Sequence, residues 1–184
     1  MASPISIVFH SGYGHTEKVA QAVAQGSGGQ LLAIDKEGNL APEGWEQLAA
    51  ARAIVFGSPT YMGNVSWQFK KFADATSAVW GKQGWKDKLA AGFTNSASIN
   101  GDKHQTLQAL FTLSQQHGML WVGAGMLPAN KKTSTRDDIN YLAGFSGLIT
   151  ATPSDASVDE LVPGDLATAR AFGERIAAVV RRYN

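Results

Sequence analysis

Ile5-Ser6-Ile7-Val8-Phe9-His10-Ser11-Gly12-Tyr13-Gly14-His15-Thr16 is the stretch on which the fold turns. An apolar β-type run ends in a Ser/Gly-rich turn, and a helical pattern starts directly after it, over residues 16–25. A strand that feeds a helix through such a turn leaves several backbone N–H groups unpaired around one spot, and the helix dipole adds partial positive charge there. That is an anion site, and a phosphate suits it. Ser11 and Thr16 offer hydroxyl donors, while Gly12 and Gly14 let the backbone approach a ligand closely. The stretch is not G-x-x-x-x-G-K-[ST], and no third glycine completes G-x-G-x-x-G. It also holds no Lys or Arg. A single terminal phosphate held by neutral donors fits better than a pyrophosphate or a magnesium-bound triphosphate. The alternative is an ordinary strand-to-helix turn with a capping Ser or Thr.

Outward from this unit, apolar runs at 30–35, 53–57, 89–94 and 119–123 read as strands. Between them, helical spacing places helices over 43–51, from about 66 with Asn64 or Ser66 as N-cap, and over 106–116. A last amphipathic helix covers 165–182, and residues 127–153 read as a long irregular region. Strands alternating with helices over one domain spanning 1–184 predict a doubly wound, five-stranded parallel sheet. Ligands of such sheets bind at the carboxyl ends of the strands. Three unusual loops would open there. The first is the phosphate turn. The second, 58–64, offers Thr60, Tyr61 and Asn64. The third, 95–102, offers backbone amides and small side chains with few charges. A phosphate grip with two flat, neutral walls describes a phosphorylated aromatic ligand, and FMN fits best.

Composition narrows the chemistry further. The chain has 184 residues, 44% apolar and 17% charged, with a formal net charge of +1. That balance argues against nucleic-acid binding. No apolar run is long enough to span a membrane, and the first residues lack the pattern of a secretory signal, so a cytoplasmic protein is expected. Cysteine is absent, which removes disulfides, thiolate metal sites, Fe–S clusters and thiol nucleophiles. The four histidines show no H-E-x-x-H spacing, and there is no G-x-S-x-G elbow. No metal site and no catalytic side chain is assigned; a bound cofactor would carry the chemistry.

Ser11-Gly12-Tyr13-Gly14-His15-Thr16, Pro59-Thr60-Tyr61-Met62-Gly63-Asn64-Val65-Ser66 and Gln116-His117-Gly118-Met119 together resemble the flavodoxin-like WrbA family of NAD(P)H:quinone oxidoreductases. The resemblance covers most of residues 5–123. It implies a three-layer α/β/α sandwich with sheet order 2-1-3-4-5. It implies that residues 11–16 hold the FMN phosphate. Pro59, Thr60, Tyr61 and Met62 would lie along the isoalloxazine, with Gly63 and Asn64 shaping that turn. Thr94, Asn95, Ser96, Ala97, Ser98 and Asn100 would line its other side and the ribityl chain. Tyr13 and Trp80 match positions that contact nicotinamide or quinone. Gln116 stands where the family usually has a histidine at the flavin edge, and glutamine cannot become a cation. The implied reaction carries two electrons from NAD(P)H through FMN to a quinone or similar small acceptor, in a homodimer or homotetramer.

The remaining candidates have competing readings. Trp80 either stacks on a substrate or covers a helix end. Trp85 and Trp121 suit a core or an interface better than a ligand. The backbone N–H of His15 is its expected contribution, with the ring in solvent, and His117 suits a structural role at a helix C-terminus. Lys131, Lys132 and Arg136 could meet a 2′-phosphate of NADPH, but a solvated loop face is the simpler reading. Region 127–153 could cap the site. A flavodoxin-type single-electron carrier is the alternative function; such carriers tend to be strongly acidic, and this chain is not.

Overall fold

The computed structural model describes residues 3–183. Strand β1 (Ile5–Phe9) is buried at every position, as expected for a strand covered on both faces. Its side chains alternate between two cores. Ile5, Ile7 and Phe9 join one core with helices α1 (His15–Ser27) and α6 (Pro163–Arg182). Val8 joins the other with α2 (Pro42–Ala50), α3 (Trp67–Ala75) and α5 (Lys103–Gln116). Phe69 and Phe72 fill the second core and Phe172 the first. Trp85 is also buried in the second core, as its core reading expects. The result is the three-layer sandwich.

The other strands are β2 (Gln30–Ala33), β3 (Ala53–Tyr61), the two-residue β4 (Asn64–Val65), β5 (Leu89–Ser96), β6 (Leu120–Trp121) and β7 (Leu148–Ala151). The spine runs β2-β1-β3-β5-β6 with parallel pairings throughout. With the stub β4 set aside, this is the expected 2-1-3-4-5 order. Where α1 crosses α6 the backbones touch. A Cβ on Gly26 would stand 2.0 Å from the Arg170 carbonyl oxygen, and one on Gly173 would stand 2.2 Å from that of Val23. A short helix α4 (Ser77–Trp80) follows α3. Among the described residues no helix is long and apolar enough to cross a membrane.

Two elements depart from the sequence reading. The loop expected from Ser58 is instead the end of β3, which continues to Tyr61 and turns back antiparallel into β4. Met62 and Gly63 form that turn with φ of 48° and 74°, the positive pair a type I′ hairpin turn requires. The fifth parallel strand, expected over 119–123, is split. β6 pairs with Leu89 and Ala90, and β7 pairs with Phe93 to Ser96. Residues 122–147 leave the sheet between the two halves, so the region read as irregular over 127–153 contains β7. Each half is too short to show a strand period of its own.

Candidate functional site

The turn over residues 11–14 joins β1 to α1. Gly14, at φ 86°, opens α1. Ser11 Oγ accepts a hydrogen bond from the Glu17 N–H at 3.1 Å and so caps the helix. Among the described residues, none of the backbone N–H groups of residues 11–16 donates a hydrogen bond. Unpaired amides at a helix N-terminus, with Thr16 buried beside them, form a cradle for an anion. A Cβ on Gly12 would stand 2.5 Å from the Tyr61 hydroxyl, so any side chain there would have to displace that ring.

A cavity of about 420 Å³ opens beside this cradle, within the range of cofactor pockets. Tyr13, His15 and Thr16 bound it at the phosphate end, Pro59, Thr60, Tyr61, Met62 and Gly63 on the hairpin side, and Asn95, Ser96, Ala97 and Ser98 opposite. Ser96 Oγ is buried there without a partner and is free to hydrogen-bond a ligand. Tyr13 and Tyr61 meet edge to face at 6.3 Å and 78° on the rim. Burial, and secondarily Tyr13, holds the Tyr61 hydroxyl above the usual phenol pKa, so it remains a neutral donor.

Several expected residues act otherwise. Thr94 is fully buried and does not line the cavity. Its hydroxyl bonds that of Thr60 at 2.8 Å, and Thr60 donates to Thr106 at 2.8 Å. These threonines lock β3, β5 and α5 together beneath the cavity, so Thr60 contributes position more than a free hydroxyl. Asn64 holds the hairpin, its side chain accepting from the Val65 N–H at 2.8 Å. Asn100 is exposed and is not among the lining residues. Gln116 and Trp80 do not reach the cavity within their own chain. Helix α5 begins beside the 95–101 loop and runs away from it, leaving Gln116 with Trp80 around a separate depression beside Lys86 and His117.

His117 takes the structural role. It is buried, Nε2 pairs with Thr76 Oγ1 at 2.9 Å, and its ring lies 4.5 Å from that of Trp85. The His15 ring, expected in solvent, is instead paired with the Ala156 carbonyl at 2.9 Å. This contact reveals a feature the sequence did not: residues 152–160 pass over the phosphate turn. Thr152 and Ser154 line the cavity. Lys18 pairs with Asp159 at 3.4 Å, and a Cβ on Gly14 would meet Val158 at 2.7 Å. Gly101 completes the lining. Asn95, at the end of β5, is held by the neighbouring strand, its Oδ1 accepting from Thr150 at 2.8 Å and Thr152 at 3.0 Å. Arg136, read as a solvated loop residue, is paired with the buried Asp165 at 2.7 Å and donates to the Ala151 carbonyl.

A doubly wound sheet with a cradle of unpaired amides at its carboxyl edge and a cavity of about 420 Å³ beside it fits an FMN-binding flavoprotein. The unpaired amides of 11–16 and the orphaned Ser96 hydroxyl fit that cofactor. The comparisons agree. Residues 34–134 match the NADPH-dependent FMN reductase family. The chain is 50% identical to a Pseudomonas aeruginosa protein named flavodoxin FldP, covering 94% of each. It is 31% identical to a Geobacter sulfurreducens NAD(P)H dehydrogenase (quinone), covering 98% of each. The crystal structure of a flavodoxin, WrbA-like protein from Agrobacterium tumefaciens superposes with a TM-score of 0.80 at 47% identity, covering 98% of each chain. The chain belongs to the NADPH-dependent FMN reductase family, in its WrbA-like, flavodoxin-fold branch, a family of oxidoreductases.

Proposed function

We propose that this protein carries two electrons from NAD(P)H, through bound FMN, to a quinone or similar small flat acceptor. The observation that carries the reading is the mouth of the cavity. Tyr13 is 78% exposed beside Tyr61, and Met62 is fully exposed on the hairpin. These side chains give a flat ring an apolar edge to stack on. A protein partner would instead call for a strongly charged rim, and the chain has a net charge of only +1.

FMN, when bound, supplies the ring that accepts and passes on electrons. The protein does the rest. The 11–16 amides take the phosphate, and the Thr60–Thr94–Thr106 cluster fixes the hairpin against β5. Asn95, Ser96, Ala97 and Ser98 form the opposite wall. Both substrates use one mouth, so they bind in turn. In net balance NAD(P)H gives up a hydride, one hydrogen with both electrons, and solvent at that mouth supplies the one further proton that completes the hydroquinone. Trp80 and Gln116 can reach a cavity only from a second copy of the chain, which is the arrangement expected of a homodimer or homotetramer; light scattering tests this.

The 50% identity to a flavodoxin supports a second reading, a single-electron carrier. Anaerobic titration of the FMN-loaded protein separates the two. Bleaching of the flavin by NADPH or NADH in one step, reversed by benzoquinone, supports the reductase. A flavin that ignores both nucleotides but accumulates a one-electron form under dithionite supports the carrier.

A further inference from the structure

Lys103 opens α5 just after the 95–102 loop and is 1% exposed. Its place is unfavourable twice over. A helix N-terminus carries partial positive charge, and a buried ammonium is costly without partners. Burial pulls its pKa down to about 8, while Asp165 opposes that fall and Arg136 adds to it. The loop itself is what holds it. Nζ donates to the carbonyl oxygen of Ser98, and to that of Ile99 at 3.3 Å. Gly101 and Asp102, with φ of 51° and 54°, make the reversal that returns the chain to this point.

The two carbonyls are successive. In a planar trans peptide the N–H points opposite to the C=O. Carbonyls drawn in toward Nζ therefore turn the N–H groups of Ile99 and Asn100 outward. Neither N–H makes a hydrogen bond among the described residues. The segment that carries them is exposed at the cavity rim: Ile99 and Asn100 do not line the cavity themselves, but their neighbours Ser96, Ala97, Ser98 and Gly101 do.

We propose that Lys103 is a positioning residue of the flavin site: by gripping the Ser98 and Ile99 carbonyls it turns two amide donors outward at the rim of the cavity, where they favour the reduced, more negative cofactor over the oxidised one. Donors fixed in advance at a place where charge develops stabilise the charged state without reorganisation. The buried ammonium acts in the same direction. This inference rests on the FMN reading above.

The test begins with the intact wild-type chain. Failure to take up FMN would overturn both readings. With FMN bound, K103M is expected to lower the ratio of reduced to oxidised FMN affinity at least tenfold, a fall of about 30 mV in the two-electron midpoint. K103R is expected to stay within threefold of wild type. Loss of both affinities in proportion would mean a merely structural lysine and would overturn the proposal while leaving the flavin site standing. Amide exchange in the wild type needs no variant to fold. The Ile99 and Asn100 amides are expected to exchange freely without FMN and at least tenfold more slowly with it; amides that FMN leaves unchanged would also overturn the proposal.

Discussion

Removing the phosphate from the ligand is the sharpest perturbation of this site. Riboflavin keeps the ring and the ribityl chain but gives the 11–16 cradle nothing to bind. The cradle offers the unpaired N–H groups of residues 11–16. A hydrogen bond to a charged group contributes about 1.5–3 kcal/mol net. If desolvation of the dianion leaves the equivalent of two such bonds, FMN binds about 3–6 kcal/mol more tightly, or about 10²–10⁴-fold. Quenching of flavin fluorescence on titration measures both ligands directly. Salt supplies a second readout. The turn contains no Lys or Arg, and Lys18 faces Asp159 rather than standing alone. The FMN-to-riboflavin ratio should therefore change little between low and moderate salt, whereas an arginine clamp would be screened. Riboflavin binding within tenfold of FMN would refute the assignment of the turn as a phosphate cradle, and a ratio that collapses with salt would refute its neutral character.

Other consequences can be checked on single variants. Gly173→Ala drives a Cβ to 2.2 Å from the Val23 carbonyl; such overpacking should cost about 3 kcal/mol, lowering the melting temperature by about 6–12 °C, and an unchanged melting point would mean that α1 and α6 are not in backbone contact. Gly14→Ala must hold φ 86° and displace Val158; with a left-handed penalty of about 1–2 kcal/mol it should weaken FMN about tenfold, whereas Asp159→Asn, which removes only an exposed ion pair, should change affinity by less than about 0.5 kcal/mol. Burial holds His10 and His117 below the usual histidine pKa of 6.5. The unfolded chain therefore takes up protons that the fold excludes, and stability should fall as the pH drops through and below about 6.5. Urea midpoints at two pH values measure that slope, and His117→Gln should flatten it; a slope the substitution leaves untouched would clear His117 of any part in it.

The layers and the cradle were legible in the sequence because each is a local statement. Ile5-Ser6-Ile7-Val8-Phe9 is buried on both faces, and Gly12 and Gly14 punctuate the turn between strand and helix, Gly14 at a left-handed φ of 86°. What the sequence concealed was non-local. Leu148-Ile149-Thr150-Ala151 is a strand only because Phe93 to Ser96 offers it a free edge. Thr60 and Thr94 looked like ligand donors because nothing in the chain announces that Thr60 bonds Thr94 on one side and Thr106 of α5 on the other. Lys103 went unremarked because lysines at helix starts are ordinarily solvated, and its burial depends on carbonyls turned inward by Gly101 and Asp102. The overlying 152–160 segment leaves no periodic trace: Thr152 ties its start to Asn95 and Ser96, and beyond that it is held to the 11–18 region by one histidine, one exposed ion pair and a valine contact.

The split of the edge strand explains how these late residues come to the site. A continuous fifth strand pairing with all of β5 would carry the chain on from the carboxyl edge directly into its final helix. Here the excursion over 122–147 is instead fastened beside the sheet. Trp121 Nε1 donates to the Ser146 carbonyl at 2.6 Å, the Ala124 N–H to that of Phe145 at 3.0 Å, and the Asn140 side chain both accepts from the Gly144 N–H and donates to the Met126 carbonyl. Arg136 reaches from this excursion to Asp165, which also accepts from the Ala151 N–H at 2.8 Å. One buried carboxylate thus ties the excursion, β7 and the start of α6 into a knot. β7 emerges beside Asn95, and the chain leaving it crosses the 11–18 turn before α6 begins. The same Asp165 faces Lys103 electrostatically. The excursion thereby fixes β7, and through it the start of the 152–160 segment, beside the cavity. That is why the cavity wall contributed by Thr152 and Ser154 depends on residues more than fifteen positions upstream that never touch the cavity themselves.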